Sequence, residues 1–268
     1  MPLFRIREVD DPRTERYRQL NRKPSRPFDT FIAESKLAVA RAIASPFSLE
    51  SILTNERFVD ELDETTQRQL PIYVASNDLL SQIVGFEFHR GQVASVHRPP
   101  QPSLSSLTGK NSSSIIVVCP EIADPTNLAG IIRNATAFGA TGMLLGATGA
   151  DPYSRRVVRV SMGNVFRLPI RTALKLDEDL EQLREQSNYQ LVATVLDARA
   201  ETLTSFHPSR NTALLFGGEG YGLSSKWLEI SDRQVTLPMA GETDSLNVST
   251  ASGIFLYQFS RFANGGRL

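Results

Sequence analysis

Apolar residues recur along this chain in two spacings, one typical of strands and one typical of helices. Between residues 28 and 98, short apolar runs alternate with stretches in which apolar positions lie three or four residues apart. The pattern places four strands, one each within FDTFIA, LESILT, PIYVAS and GQVASVHRP, and helices within ESKLAVARAIAS, NERFVDEL and SNDLLSQI. This alternation predicts a small α/β layer domain.

A second periodic region begins with IIVVC at residues 115–119, a continuous apolar run typical of a strand buried on both faces of a parallel sheet. Further strands are predicted in GMLLG, FRLPI, YQLVATVL, ALLFG and QVTLP, with helices between most of them. Repeated alternation of apolar strands and helices indicates a parallel sheet covered on both sides.

Proline, serine and glycine mark the boundary between the two regions. Residues 99–114 are rich in these types and poor in large apolar residues, so we interpret them as a linker. The predicted organisation is an N-terminal arm at 1–27, a first domain at 28–98, this linker, and a second domain at 115–268.

Composition narrows the class of protein. Apolar residues make up 41% and charged residues 22% of the 268 residues, as in globular proteins. No apolar run approaches the length of a membrane helix, and the N-terminus is too charged for a secretory signal, so we expect a soluble cytoplasmic protein. A single cysteine excludes an internal disulfide, and with only three histidines it argues against a structural metal site. Because the net charge is zero, any binding of nucleic acid would have to depend on a local basic patch.

Two loops that follow predicted strands carry candidate chemistry. In the first, Asn127 suits a helix N-cap, and Arg133 interrupts an otherwise apolar helix, so its side chain either reaches the surface or faces a partner. The second, GGEGYGLS at 217–224, places Glu219 among glycines that allow a ligand close to the backbone. Taken alone, the second loop is a turn with a glutamate, and its spacing fits neither a Walker loop nor a dinucleotide motif.

The third loop runs into the last helix. It holds an acid pair, Glu242 and Asp244, and then Ser245, Asn247 and Ser249 at alternate positions before the helix. All three are residue types that cap helices, and we assign the cap to Ser249. More capping residues than one helix needs leave side chains free for a ligand, so both interpretations stay open at this point.

Together the three loops resemble a known family. NLAGIIRNATAFGA, GGEGYGLS and LPMAGETDSLNVSTAS are similar, in order and separation, to the three signatures of the SpoU or TrmH family of ribose 2'-O-methyltransferases, within the SPOUT superfamily of RNA methyltransferases. The resemblance covers the chain from about residue 115 to its end. Residues 28–98 resemble, more loosely, the small ribosomal-protein-like RNA-binding domain that precedes the catalytic domain in many members.

The resemblance implies a fold, a cofactor and an assembly. The fold is α/β, with a parallel sheet whose C-terminal segment forms a deep trefoil knot. The cofactor is S-adenosylmethionine, no metal is required, and the enzyme is a homodimer in which the final helix packs across the interface and both subunits complete the site. The matching cofactor-binding positions are Thr194, Gly217, Gly218, Leu237, Met239, Leu246 and Asn247.

The resemblance also implies catalytic residues, which are Arg133, Asn127, Glu219, Ser245 and Asn247. Methyl transfer to a ribose hydroxyl requires positioning and removal of a proton. Because arginine side chains stay protonated in proteins, our hypothesis is that Arg133 stabilises the developing alkoxide and grips the adjacent phosphate.

A basic segment lies between the first two signatures. Arg155, Arg156 and Arg159 are candidate RNA phosphate contacts, although a solvated helix face is the commoner role for such a cluster. The leading interpretation is a methyltransferase acting on rRNA or tRNA, and the alternative is a catalytically silent RNA-binding or ribosome-assembly protein. The presence of all five catalytic residue types favours the enzyme. The sequence specifies neither the RNA nor the nucleotide.

Overall fold

The computed structural model describes residues 3–21, 29–88, 91–109, 113–240 and 245–263. The chain divides into two compact units. The first contains residues 1–100 and 153–167, and the second contains residues 101–152 and 168–268.

The first unit is built on a five-stranded mixed sheet. Its strands are β1 Leu3–Arg5, β2 Thr30–Glu34, β3 Leu49–Thr54, β4 Ile72–Val74 and β5 Gln92–His97. In the order β1-β4-β3-β5-β2, the first three strands are parallel, and β5 is antiparallel to both β3 and β2. The predicted small α/β layer is therefore present, with one strand more than the pattern indicated.

Short capped helices connect these strands. They are a 3₁₀ helix Pro12–Tyr17, α1 Lys36–Ile43, α2 Glu56–Val59, α3 Glu64–Gln69 and α4 Asn77–Val84. The helix predicted in NERFVDEL ends early, and α3 begins as a separate helix because the side chain of Asp63 accepts a hydrogen bond from the backbone N–H of Thr66 at 2.9 Å.

Part of the predicted N-terminal arm belongs to the first unit's sheet and is not separate from the first domain. Strand β1 pairs in parallel with β4. Tyr17 is fully buried, and its hydroxyl lies 2.6 Å from the Oγ atom of Ser51. Only three residues of the arm form a strand, which is too short for a periodic pattern to reveal. Residues 1–2 and 22–28 lie outside the described part of the chain.

Residues 153–167 also pack in the first unit, although the predicted second domain was continuous from 115 to 268. This segment contains a six-residue helix Arg155–Val160 and a 3₁₀ helix Asn164–Phe166. The rings of Tyr153 and Phe166 contact Phe31 at centroid distances of 4.9 and 5.8 Å. Burial of these aromatic rings places the segment in the core of the first unit.

The predicted linker is only partly a connection. It contains α5 Leu104–Leu107, and both leucines are buried in the core of the second unit. Two apolar residues are too few to produce a periodic pattern in the sequence. Their burial nevertheless holds this short helix against the core of the second unit. Residues 110–112 lie outside the described range.

The second unit is built on a seven-stranded sheet. Its strands are β6 Ser114–Cys119, β7 Gly142–Gly146, β8 Ile170–Ala173, β9 Gln190–Val195, β10 Glu201–Thr202, β11 Asn211–Leu215 and β12 Arg233–Thr236. The order is β10-β12-β9-β11-β6-β7-β8, and every neighbouring pair is parallel. All six residues of β6 are buried, as its continuous apolar run predicted.

Four further helices complete the second unit. In chain order they are α6 Pro125–Ala137, α8 Leu176–Ser187, α9 Ser225–Glu229 and α10 Val248–Ala263, with α7 being Arg155–Val160 of the first unit. Helix α10 packs against α6 and against β6. None of the described helices is long and apolar enough to cross a membrane.

Candidate active site

A cavity of about 260 Å³ opens at the carboxyl ends of three neighbouring strands of the second unit. Strands β11, β9 and β12 are parallel neighbours, so the loops that follow them emerge at one edge of the sheet. The N-terminal part of α10 closes the cavity from the side. All seven predicted cofactor positions line it, namely Thr194, Gly217, Gly218, Leu237, Met239, Leu246 and Asn247.

The glycine loop after β11 is folded tightly on itself. Gly218 and Gly222 exchange two backbone hydrogen bonds of 3.2 Å. A Cβ atom on Gly217 would lie 2.2 Å from the carbonyl carbon of Gly222, so no other residue fits there without moving the loop. The glycines therefore bring the backbone itself to the cavity wall.

Among the described residues, the lining of the cavity carries a single charged side chain. Its described residues include no lysine, arginine or histidine, and the one ionisable group is the carboxyl of Glu219. Apolar side chains and glycine backbone form the rest. Such a wall suits a small molecule that is partly apolar and carries positive charge, and it offers no counter-charge for a phosphate.

Three predicted catalytic residues meet in one hydrogen-bonded chain beside this cavity. The side-chain amide of Asn127 donates to Oε1 of Glu219 at 2.5 Å. In turn, the amide of Asn247 donates to Oδ1 of Asn127 at 2.8 Å. Asn127 is buried, with 8% of its surface exposed, so it acts as the bridge between the glycine loop and the start of α10.

Two capping assignments from the sequence are wrong. Asp124, and not Asn127, caps α6, because its carboxylate accepts a hydrogen bond from the N–H of Thr126 at 2.6 Å. Asn247, and not Ser249, caps α10, because its Oδ1 atom accepts from the N–H of Ser249 at 2.9 Å. Cap signals identify a residue type near a helix start, and several suitable types stand together at both places.

A second polar contact fixes α6 against α10. The amide of Asn134 donates to the carbonyl of Ser249 at 2.7 Å and to Oγ of Ser252 at 2.9 Å. Both of its protons are thereby used inside the protein. Asn134 interrupts the apolar pattern of α6 because it joins the two helices that carry Asn127 and Asn247.

The remaining predicted catalytic residues are not drawn into this network. Arg133 is exposed on α6, and among the described residues no hydrogen bond or ion pair holds its side chain. Ser245 is exposed at the lip of the cavity. The acid pair Glu242 and Asp244 lies outside the described residues.

The three candidate RNA-binding arginines belong to the first unit and differ in environment. Arg155 donates through Nε to the carboxylate of Glu34 at 2.8 Å and through Nη1 to the carbonyl of Leu20 at 2.7 Å. Its guanidinium also lies 4.5 Å from the ring centroid of Phe86. These contacts give Arg155 an internal structural role, whereas Arg156 and Arg159 are exposed.

Sequence reasoning missed part of the cavity wall. The additional lining residues are apolar side chains or glycines, namely Val195, Leu196, Phe216, Gly220, Gly222, Val248, Ala251 and Phe255. The apolar side chains among them were assigned to strands and helix alone. Val195, Leu196 and Phe216 stand at the carboxyl ends of predicted strands, and that position was the available signal.

Cys119 ends strand β6 and is buried, as expected for a small core residue. Burial raises the pKa of its thiol well above the usual value, and the negative charge of Glu219 raises that pKa further. The thiol is therefore kept neutral.

No metal site is evident in the described part of the chain, where no group of three or more histidine, cysteine, aspartate or glutamate side chains is arranged to hold an ion.

Comparison with known proteins identifies relatives of this fold and site. The model of the SpoU rRNA Methylase family matches residues 114–257, more than half of the chain. An uncharacterized tRNA/rRNA methyltransferase of Mycobacterium bovis is 36% identical over 264 residues, which cover 95% of this chain and 90% of the relative. The 23S rRNA (guanosine-2'-O-)-methyltransferase RlmB of Acinetobacter baylyi is 28% identical over 195 residues, covering 72% of this chain and 79% of that protein.

Among solved structures, the AdoMet-bound rRNA methyltransferase from Sinorhizobium meliloti superimposes with a TM-score of 0.82 at 27% identity, and 97% of each chain is covered. The family resemblance inferred from the three loops is confirmed by the family match and by the identity over nearly the whole chain. The chain belongs to the SpoU rRNA methylase family.

Proposed function

We propose that this protein is an S-adenosylmethionine-dependent RNA methyltransferase that methylates a ribose 2'-hydroxyl in rRNA or tRNA. The observation that carries the proposal is the glycine-walled cavity with the hydrogen-bonded chain of Glu219, Asn127 and Asn247 at its side. Family membership and the relatives that act on RNA support the same activity.

The cavity fits S-adenosylmethionine by its chemistry. The cofactor carries a sulfonium cation, and the one charged group among the described lining residues is the carboxyl of Glu219. A nucleotide cofactor with phosphates would meet no cation among those residues. The similar rRNA methyltransferase structure from Sinorhizobium meliloti is AdoMet-bound, which supports this choice.

When bound, S-adenosylmethionine supplies a methyl group on a good leaving group, so the protein's tasks are to position the ribose and to assist loss of its proton. Asn127 fixes the carboxylate of Glu219 and the amide of Asn247, and so sets the relative positions of two loops. Arg133 would stabilise the alkoxide that forms on the ribose oxygen and contact the neighbouring phosphate. Ser245, at the cavity lip, would orient the ribose.

A homodimer would account for two exposed features of the second unit. Ile254 and Tyr257 are 38% and 46% exposed, and their spacing puts them on one face of α10. Arg133 is exposed on α6, the helix that packs against α10. We propose that α10 packs across a twofold interface and that a partner subunit completes the surroundings of Arg133. Sedimentation analysis tests this assembly, and a monomer at assay concentrations would exclude it.

The trefoil knot is a further proposal. Strand β12 inserts between β10 and β9, and the chain then returns to pack α10 on α6. This order is consistent with a C-terminal segment threaded through an earlier loop of the second unit. An experimental structure in which the chain from β12 to α10 passes through no earlier loop would exclude the knot.

The first unit would supply RNA binding. Its sheet and the exposed Arg156 and Arg159 support this assignment, since exposed arginines bind phosphates at modest cost in desolvation. The predicted phosphate contact by Arg155 is less well supported, because Glu34 and Leu20 already occupy its guanidinium.

The test is methyl transfer from labelled S-adenosylmethionine to rRNA and tRNA isolated from cells that lack the gene. Digestion to nucleosides should yield one 2'-O-methylated nucleoside, and mapping then gives its position. Label found on a base would refute the ribose assignment. Binding of S-adenosylmethionine and RNA without any transfer would instead favour the silent RNA-binding protein, which the family comparison does not favour.

A further inference from the structure

The mouth of the cavity offers RNA almost no attractive charge. The described residues that line it include no cation, and Glu219 contributes a negative charge. RNA phosphates are repelled by such a surface. Apart from Arg133, which lies outside this lining, contacts that hold RNA at the mouth must therefore come from uncharged groups. The faces of unpaired bases are the apolar surfaces that RNA provides.

Tyr221 lies in the glycine loop beside this mouth. It stands at the tip of the glycine loop between Gly220 and Gly222, both of which line the cavity, and its side chain is fully exposed at 101%. Within the described part of the chain, no ring, hydrogen bond or ion pair engages it. Two residues earlier in the loop, Glu219 is bonded to Asn127.

The loop holds this ring outward with open space around it. Gly220 and Gly222 have φ angles of +90° and +69°, which disfavour other residues, and a Cβ atom on either would meet nothing within 4 Å. The backbone hydrogen bonds between Gly218 and Gly222 fix the base of the loop. Tyrosine loses little conformational entropy on binding, so an exposed ring is well suited to stacking.

We propose that Tyr221 is a substrate-binding residue that stacks on an unpaired nucleobase next to the methylated ribose. The inference rests on the proposed function, because only an RNA substrate brings such a base to this cavity. Stacking on an aromatic side chain tolerates any base, so Tyr221 contributes affinity and orientation, and other contacts select the sequence.

A second copy of the chain is the alternative binding partner for the exposed Tyr221 ring. The loop position favours RNA, because Gly220 and Gly222 on either side of Tyr221 line the cavity itself. The two occupants predict different results for the same variants.

The experiment compares Tyr221→Ala, Tyr221→Leu and Tyr221→Phe in the full-length protein, with Leu174→Ala as the control. Leu174 is 92% exposed and follows β8, three strands away from β11, so the control removes a similarly exposed apolar side chain. Affinity for total rRNA from cells lacking the gene is measured by filter binding, separately from methyl transfer, S-adenosylmethionine affinity and sedimentation.

We expect Tyr221→Ala and Tyr221→Leu to weaken RNA binding and raise the apparent KM for RNA by about tenfold or more. Tyr221→Phe and Leu174→Ala should match the wild type, and affinity for S-adenosylmethionine should not change. Unchanged RNA affinity in Tyr221→Ala, a leucine variant equal to phenylalanine, or a shift from dimer to monomer would each overturn the proposal. A wild-type protein that binds RNA but transfers no methyl group refutes the proposed function alone, because the affinity measurement needs no transfer.

Discussion

The side-chain amide of Asn247 donates a 2.8 Å hydrogen bond to Oδ1 of Asn127, across 120 residues of chain. Asn127 in turn donates a hydrogen bond from its side-chain amide to Oε1 of Glu219. One buried amide thus joins the helix after β6, the loop after β11 and the start of α10. The alignment of the three loops depends on this amide, since an asparagine side chain can donate and accept at once.

Asn127→Ala should lower kcat/KM roughly ten- to hundredfold, because it removes the donor to a carboxylate and the acceptor of Asn247. Steady-state methyl transfer measures the effect. Asn211→Ala is the matched control, since Asn211 begins β11 at the opposite end of the strand and donates one bond to the carbonyl of Ser187. Equal activity of the two variants would contradict a role for Asn127 in aligning the site.

Arg133→Lys should keep the affinity for S-adenosylmethionine, because Arg133 does not line the cavity. We expect kcat to fall at least about tenfold at neutral and alkaline pH, since lysine keeps the charge but loses the planar, bidentate geometry. Comparing pH–rate profiles checks this, with Arg210→Lys as an exposed control outside the site. Full activity of the Arg133→Lys variant would remove the assignment of Arg133 as the alkoxide-stabilising group.

Arg155→Ala should destabilise the protein by about 2–3 kcal/mol, because it removes the guanidinium that faces the carboxylate of Glu34. The carboxylate is 1% exposed, and the value is placed below that of a fully buried pair because the arginine side chain is 25% exposed. Chemical denaturation gives the change in free energy of unfolding.

Arg159→Ala is the counterpart for that variant, because Arg159 is an exposed residue of the same helix. It should leave stability unchanged, weaken RNA binding and reduce the dependence of affinity on salt. The reverse pattern, with Arg155→Ala stable and defective in RNA binding, would restore the phosphate-binding role that the sequence suggested for Arg155.

Cys119 should resist thiol reagents in the folded protein and react completely in denaturant, because it is buried and its raised pKa disfavours the reactive thiolate. Because the thiol pKa is higher in the folded than in the unfolded protein, the contribution of Cys119 to stability is complete below the pKa of an unfolded thiol, about 8.5. As the pH rises from that value through the folded pKa, the unfolded thiol ionises first and this contribution is lost. Rapid labelling of the native protein at neutral pH would contradict the burial of Cys119, and Cys119→Ala provides the unreactive control.

The patterns along the chain determined the second unit's elements well. The run at β6 predicted a strand buried on both faces, and all six residues of that strand are buried. These elements could be read locally because burial on one or both faces repeats with the period of the element. The glycine loop and the family resemblance were equally local, since each depends on a short run of residues.

Packing between distant segments decided the rest. The sequence placed residues 153–167 in the second domain, but the burial of Tyr153 and Phe166 against Phe31 puts them in the first unit. Likewise, β1 is a strand only because β4 offers it a parallel edge. Contacts of this kind depend on which surfaces meet after folding. A segment of three or four residues is too short to show a periodic pattern that would predict them.

For the site, the sequence by itself determined the chemical types in the three loops, including the glycines, the acid and the amides. Tertiary structure alone decided that Asn127 bridges Glu219 and Asn247 and does not cap its helix, while Arg133 stays exposed. The physical reason is that one amide can satisfy either a nearby backbone N–H or a distant side chain. The parallel sheet decides between them by bringing the ends of its strands to one edge.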